Sequence, residues 1–294
     1  VRFSIWPLAT QPFEDLAGAA AHAAATGWDG VWVADHFMPS AEPLDTPTLE
    51  CLAVLAGLAT TLPRVRLGSL VAGNTYRHPA VLAKAAATID EMSGGRFVLG
   101  LGAGWQENEH RAYGIEFFDT PGRLARLEEA CAVIRQLFGV PRADFSGRFY
   151  RLTDAPFEPK PEGRLPLLVG GSGEQVTLRI VARYADEWNC WGTPEVLAAK
   201  GAVLERHCAA VGRDPGTIAR SAQVLVDLDG ESPVERRVPS VRGGAAEMQE
   251  LIGAYAAAGV GEFILPDWNL GRGAGRSERF DRFLEEVAAP FRGT

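Results

Sequence analysis

Eight times along the chain a short apolar or β-branched run gives way to a longer, alanine-rich amphipathic segment, and no other feature constrains the fold as much. Strict alternation of this kind is the pattern of parallel βα units. Strands are expected at 2–6, 30–34, 65–71, 97–101, 165–169, 186–191, 218–226 and 262–265, with helices at 13–26, 46–61, 79–92, 121–138, 174–184, 194–211, 244–258 and 277–287. Pro79, Pro121 and Pro194 fall in first helical turns, where a missing N–H costs nothing, and Gly27, Gly212 and Gly259 fall where helices end. Eight such units in 294 residues fit a (β/α)8 TIM barrel, with a doubly wound open sheet as the alternative. Two connections are long. Residues 139–164 are rich in Pro, Gly and Arg, with a small hairpin expected around Ser146-Gly147-Arg148. Residues 227–243 are charged, contain Pro233 and Pro239, and are expected as a mobile segment over the barrel mouth. One domain is expected over 1–294.

Composition removes several functions. A formal charge of −8 with no Lys/Arg cluster argues against a nucleic-acid or anionic-membrane surface, though not against a small anionic ligand in a local pocket. Cys51, Cys131, Cys190 and Cys208 show no CxxC spacing, so they read as buried apolar residues in a reducing, cytoplasmic compartment. No apolar run reaches spanning length, and no charged head precedes an apolar stretch at the N-terminus. Glu107 and His110 form a single ExxH pair, and a carboxylate metal site needs a second, so no metal is expected. A GxSxG nucleophile elbow is absent.

In a barrel of this type, chemistry collects at the strand C-termini. That rule selects Asp35-His36, Ser69-Leu70-Val71, the bend from Gly102 to Asn108, Gly170-Gly171-Ser172-Gly173 and Asn189-Cys190-Trp191. Gly100, Gly102 and Gly104 stand on alternate positions, so the backbone there can approach a ligand or simply turn tightly. Gly170 to Gly173, leading into the next helix, offers free amides and Ser172 to an anion, without the spacing of a P-loop. His36 ends its strand with an imidazole suited to passing a proton near neutrality.

The segments GWDGVWVADHF (27–37), LGSLVAGNTYRHPAVLAKAAATIDEMSGGRFVLGLGAGW (67–105) and PLLVGGSG followed by TLRIVARYADEWN (166–189) together resemble the bacterial luciferase-like oxidoreductases, most nearly those using the deazaflavin coenzyme F420. The resemblance implies a bulge with a non-prolyl cis peptide somewhere in Ser69, Leu70 and Val71, backing the cofactor ring. It implies a phosphate loop at Gly170, Gly171, Ser172 and Gly173. It places Gly102, Gly104, Trp105 and Asn108 along the cofactor, and Asp35 with catalytic His36 beside its redox edge. The basic side chains of Arg77 or Lys84 would serve the coenzyme's acidic tail. Relatives that oxidise sugar phosphates carry a glutamate where this chain has Trp105, with Glu107 the nearest substitute, so the resemblance implies a flatter, more apolar substrate than glucose 6-phosphate. It further implies a homodimer acting on a small organic molecule. An FMN-dependent monooxygenase of the same fold is the alternative, and a non-catalytic flavin-binding barrel a third reading.

Overall fold

A computed structural model of the chain describes residues 1–161, 163–228 and 239–292. The first strand, Arg2–Trp6, runs parallel to the second, Gly30–Val33, and to the eighth, Glu262–Pro266. The second pairs with the third, Arg66–Ser69, and the third with the fourth, Phe97–Gly102. The fifth, Leu167–Gly170, the sixth, Glu187–Cys190, and the seventh, Ala219–Gln223, complete the circuit back to the eighth. Every pairing is parallel and the circuit is closed, so the fold is a (β/α)8 barrel and not an open sheet.

Helices cover the outside because their alanine-rich faces can approach the strands closely. Helix Phe13–Thr26 buries Leu16, Ala19, Ala20 and Ala23 and ends on Gly27, whose φ of 97° closes the last turn. Helix Pro79–Ser93 starts with Pro79 in its first turn, and the His78 ring accepts from the Ala80 amide. Fully buried side chains such as Phe3, Leu16, Leu55 and Phe263 each contribute roughly 1.5–3 kcal/mol by leaving water. Inside the barrel, Trp32, Leu70, Val98, Leu168 and Ile264 form a separate apolar plug, against whose upper side Trp6 and Val71 pack.

Several boundaries differ from the sequence-based expectation, for local reasons. The second helix begins at Cys51 and not at 46, because Pro47 holds the preceding residue extended and Glu50 supplies the cap, accepting from the Ala53 amide at 2.6 Å. The helix after the fifth strand begins at Thr177 and not at 174. The run expected as one strand over 218–226 leaves the barrel after Gln223. Its continuation, Leu225–Asp227, pairs with Ser240–Arg242. These pieces frame the 227–243 connection, whose residues 229–238 lie outside the described residues, as does any mobility expected of them. The last helix, Gly273–Arg282, starts earlier than expected and continues as a wider turn over Phe283–Ala288. The hairpin near 147 is present, Arg142–Ser146 against Arg151–Pro156. All four cysteines are buried and free, and among the described residues no helix is long and apolar enough to cross a membrane.

Candidate active site

The third strand stops at Ser69, turns through a cis Leu70-Val71 bond and resumes as Ala72–Gly73 against Leu101 and Gly102 of the fourth strand. Alternate glycines make this bulge possible. A Cβ on Gly100 would stand 2.0 Å from the Ser69 carbonyl oxygen, one on Gly102 would stand 2.6 Å from Val71 Cγ2, and one on Gly170 would stand 2.9 Å from Val71 Cγ1. These three glycines therefore make room for the chain's own bulge, as the tight-turn reading of their spacing expects. Gly104, with φ of 82°, turns the bend past Thr75.

Ser69 and Leu70 are likewise part of the frame. The Ser69 hydroxyl donates to the Gly100 carbonyl at 2.8 Å and accepts from the Gly100 amide at 3.0 Å, so its single O–H is committed to the bulge. Leu70 points into the barrel plug, and only Val71 remains half-buried at the upper surface.

Asp35 is corrected in the same way. It is 2% exposed and both its oxygens accept from Arg77, at 2.6 and 2.9 Å, while Oδ2 also accepts from the Gly73 amide at 2.9 Å. It anchors the loop after the bulge and is not available to a ligand. Arg77 donates in addition to Glu50, so its guanidinium is spent within the frame, and burial is outweighed by the two carboxylates, which hold its proton more firmly than usual. Lys84 donates to the Glu158 carbonyl at 2.6 Å and lies over the Phe157 ring. Arg77 is thus committed to the frame, whereas Lys84 is exposed and its charge meets no carboxylate among the described residues.

His36 is placed for chemistry. Its Nδ1 lies 2.8 Å from Oε1 of Glu109, its side chain is 30% exposed, and Nε2 has no hydrogen-bond partner among the described residues. Glu109 is fully buried and accepts further from the Phe37 amide, at 2.8 Å, and from the Tyr76 hydroxyl. Burial alone would raise its pKa, but the hydrogen bonds from His36, Tyr76 and Phe37 outweigh it and hold the carboxyl below the ordinary range. Burial, and then the hydrogen bond to Glu109, pushes the Tyr76 phenol well up, so it stays protonated. A carboxylate accepting at Nδ1 fixes that nitrogen as the N–H and leaves a lone pair on Nε2 of the neutral ring.

Trp105 is 64% exposed and meets His36 edge to face at 5.4 Å, so it stands at the mouth and not in the core. Asn108 helps to position the helix: its Nδ2 donates to the Pro39 carbonyl at 3.1 Å and its Oδ1 accepts from the Glu109 amide at 3.0 Å. Glu109 was missed because Glu107 lies nearer the glycine bend. The helix Glu107–Tyr113 decides between them: Gln106, Glu109 and His110, at i, i+3 and i+4, form its buried face, while Glu107 is exposed. The His110 ring lies within hydrogen-bond reach of Thr75 Oγ1 and the Gln106 carbonyl, a structural role that does not use Glu107.

Across the mouth, Gly170, Gly171, Ser172 and Gly173 lead to Thr177. Gly171 is tied by its amide to the Asn189 carbonyl and by its own carbonyl to Trp188 Nε1. The amides of Ser172, Gly173, Glu174 and Gln175 have no acceptor among the described residues, and this stretch is exposed. Lys200 donates to the Ser172 carbonyl at 2.9 Å and to Glu174 at 3.2 Å, putting a cation beside that run of N–H groups.

A closed parallel barrel whose polar and glycine-rich features gather at one mouth defines the class of (β/α)8 enzymes with a site at the strand C-termini. Within that class the luciferase-like monooxygenase model matches residues 1–282, and the chain belongs to that family. A relative named F420-dependent glucose-6-phosphate dehydrogenase, from Kineococcus radiotolerans, is 35% identical over 224 residues, covering 75% of this chain and 65% of the relative. The pyrimidine monooxygenase RutA of Stutzerimonas stutzeri is 35% identical over 173 residues, 56% of this chain and 47% of that protein. The chain therefore spans about half to two thirds of the length of these curated relatives. Among solved structures, an F420-dependent secondary alcohol dehydrogenase holding an F420–acetone adduct superposes with a TM-score of 0.85 at 21% identity, over 98% of each chain, a likeness of fold. The exclusion of glucose 6-phosphate expected from Trp105 does not fit the name of the first relative, so Trp105 by itself does not exclude that sugar phosphate.

Proposed function

We propose that this chain is an oxidoreductase that binds coenzyme F420 at the barrel mouth and exchanges hydride between the deazaflavin and a small organic substrate. The observation that carries the reading is His36, oriented by a buried carboxylate and left with a free Nε2 at the mouth. The residues present fit the cofactor. Val71, on the bulge admitted by Gly100, Gly102 and Gly170, offers a smooth apolar floor for a ring, and the unpartnered amides of 172–175 with Lys200 suit a phosphate.

When bound, the deazaflavin supplies the ring that accepts or returns hydride. His36 takes the proton on Nε2 as a hydroxyl is oxidised, and returns it in the opposite direction. Glu109 keeps the ring turned and steadies the imidazolium, and Tyr76 and the Phe37 amide hold Glu109 ionised. Trp105 packs against the imidazole edge and limits its rotation. A homodimer is inferred with this reading, and light scattering of the purified protein tests it.

The likeness to a pyrimidine monooxygenase favours one other reading, an FMN-dependent monooxygenase on the same mouth. Parallel titration with coenzyme F420 and with FMN, followed by the fluorescence of the seven tryptophans, separates the two. Binding of F420 at least about tenfold tighter than FMN is expected, a difference of about 1.4 kcal/mol. Tight binding of FMN alone overturns the deazaflavin reading.

A further inference from the structure

Three tryptophans stand at the mouth on the first, sixth and eighth strands. Trp6 ends the first strand, Trp191 follows the sixth and Trp268 follows the eighth. Their ring centroids lie 5.3 Å (Trp6 to Trp268), 5.9 Å (Trp191 to Trp268) and 6.1 Å (Trp6 to Trp191) apart. The rings form one continuous wall. Its outer member, Trp268, is 41% exposed, and Trp6 and Trp191 are only half-buried. A large apolar surface left open at a mouth is unusual unless something covers it. Trp6 also packs on the same interior plug as Val71 of the bulge, so the wall and the bulge rise from one floor.

Gln223 adds a polar group to the wall. Ala222 pairs with Cys190, so Gln223 and Trp191 are the next residues along neighbouring strands. The Ser221 hydroxyl meets the Asn189 side chain at 2.9 Å inside the barrel, and side chains alternate along a strand, so Gln223 and Trp191 also face inward. Gln223 is 5% exposed, and its Oε1 is buried without a hydrogen-bond partner among the described residues. A buried carbonyl oxygen left unpaired costs stability, so a retained one marks a place where a partner is expected. No apolar ligand alone would satisfy it.

We propose that Trp6, Trp191, Trp268 and Gln223 form the substrate subsite, which takes a planar, apolar ring bearing one hydrogen-bond donor. The ring lies on the indole wall, and its O–H or N–H donates to Gln223 Oε1. This assignment rests on the reading of the mouth as an oxidoreductase site, with the cofactor on the side of strands two to five and the substrate on the side of strands one and six to eight.

Titration calorimetry with three probes tests it: 2-naphthol, which is planar with a donor; 2-methoxynaphthalene, planar without one; and cyclohexanol, which has a donor but is not planar. The wild type is expected to bind 2-naphthol at least about tenfold more tightly than either of the others. Trp268→Ala, a change at a partly exposed ring that leaves the barrel intact, is expected to weaken 2-naphthol by about tenfold or more. Gln223→Met is expected to abolish the preference for 2-naphthol over 2-methoxynaphthalene, with melting curves checking its fold. Equal binding of the three probes to the wild type overturns the subsite, as does 2-naphthol binding unchanged in Trp268→Ala. An F420 titration on the same samples keeps the two readings apart. Failure to bind F420 with the probe preferences intact would sink only the cofactor reading, and F420 binding without those preferences would sink only the subsite.

Discussion

The two ends of the barrel use polar groups in opposite ways. At the strand N-termini, Glu262 is fully buried, and its two oxygens accept from Ser4 Oγ at 2.6 Å, Trp32 Nε1 at 2.9 Å, Arg66 Nη1 at 2.6 Å and Arg2 Nε at 3.1 Å. Arg66 reaches Glu187 as well. Each charge there is met by another charge or a donor of the protein itself. At the strand C-termini, His36 Nε2, Gln223 Oε1 and the amides of 172–175 have no such partner among the described residues. Burying a polar group is costly unless it is paired, so the closed network serves stability and the buried, unpaired Gln223 Oε1 marks a place for a ligand, while His36 Nε2 and the exposed amides of 172–175 stay open to solvent or ligand. The comparison makes a sharp demand: changes at the base should alter stability without altering chemistry, and changes at the mouth should do the reverse.

The largest expected effect is at the base. Glu262→Ala leaves Arg66 and Arg2 without their shared carboxylate and should cost about 3–5 kcal/mol of stability. For a chain of this size that is a fall in melting temperature of roughly 10 °C. Turnover per folded molecule, measured well below the new midpoint, should match the wild type. Lost turnover with an unshifted melting curve would break the division between the ends.

At the mouth, His36→Ala should lower turnover with F420 by about 100-fold or more, the usual contribution of a positioned acid–base group, while the melting temperature moves by no more than a few degrees. Tyr76→Phe should lower turnover less, because Phe37 still donates to Glu109 and only one of its three hydrogen-bond donors is removed. Stopped-flow absorbance at 420 nm follows both. Unchanged turnover in His36→Ala would remove the proposed proton carrier.

Much of this arrangement was legible in the sequence, and the misses share a cause. Alternating apolar runs and helix stops give the barrel, and the strand-end rule gives its mouth, because both depend on local periodicity and known punctuation. Periodicity also reaches Glu109, once the helix from Glu107 is given a buried face. It cannot say which polar residues are spent on the frame. Asp35, Ser69 and Asn108 look like ligand contacts from their positions, yet each is committed to a partner 31 to 69 residues away. Long-range pairing of that kind is set by tertiary packing, as is the gathering of Trp6, Trp191 and Trp268 from three distant strands.

The smallest expected effect tests the comparison through pH. Glu109 at the mouth has a carboxyl held below its ordinary range, burial being outweighed by the hydrogen bonds from His36, Tyr76 and Phe37. Glu187 at the base is held above that range, because burial outweighs Arg66. A lowered carboxyl stabilises the fold above its unfolded pKa of about 4.3, and that contribution is lost as pH falls through the folded value. A raised carboxyl does the opposite: its contribution is complete in acid and is lost as pH rises through the folded value. Denaturant melts of the wild type against Glu109→Gln should therefore show a wild-type advantage that grows from acid toward neutral pH, and against Glu187→Gln one that shrinks over the same span. Parallel pH profiles for the two variants would mean that both carboxylates experience one environment. The contrast between a closed base and an open mouth would then fail at its most sensitive point.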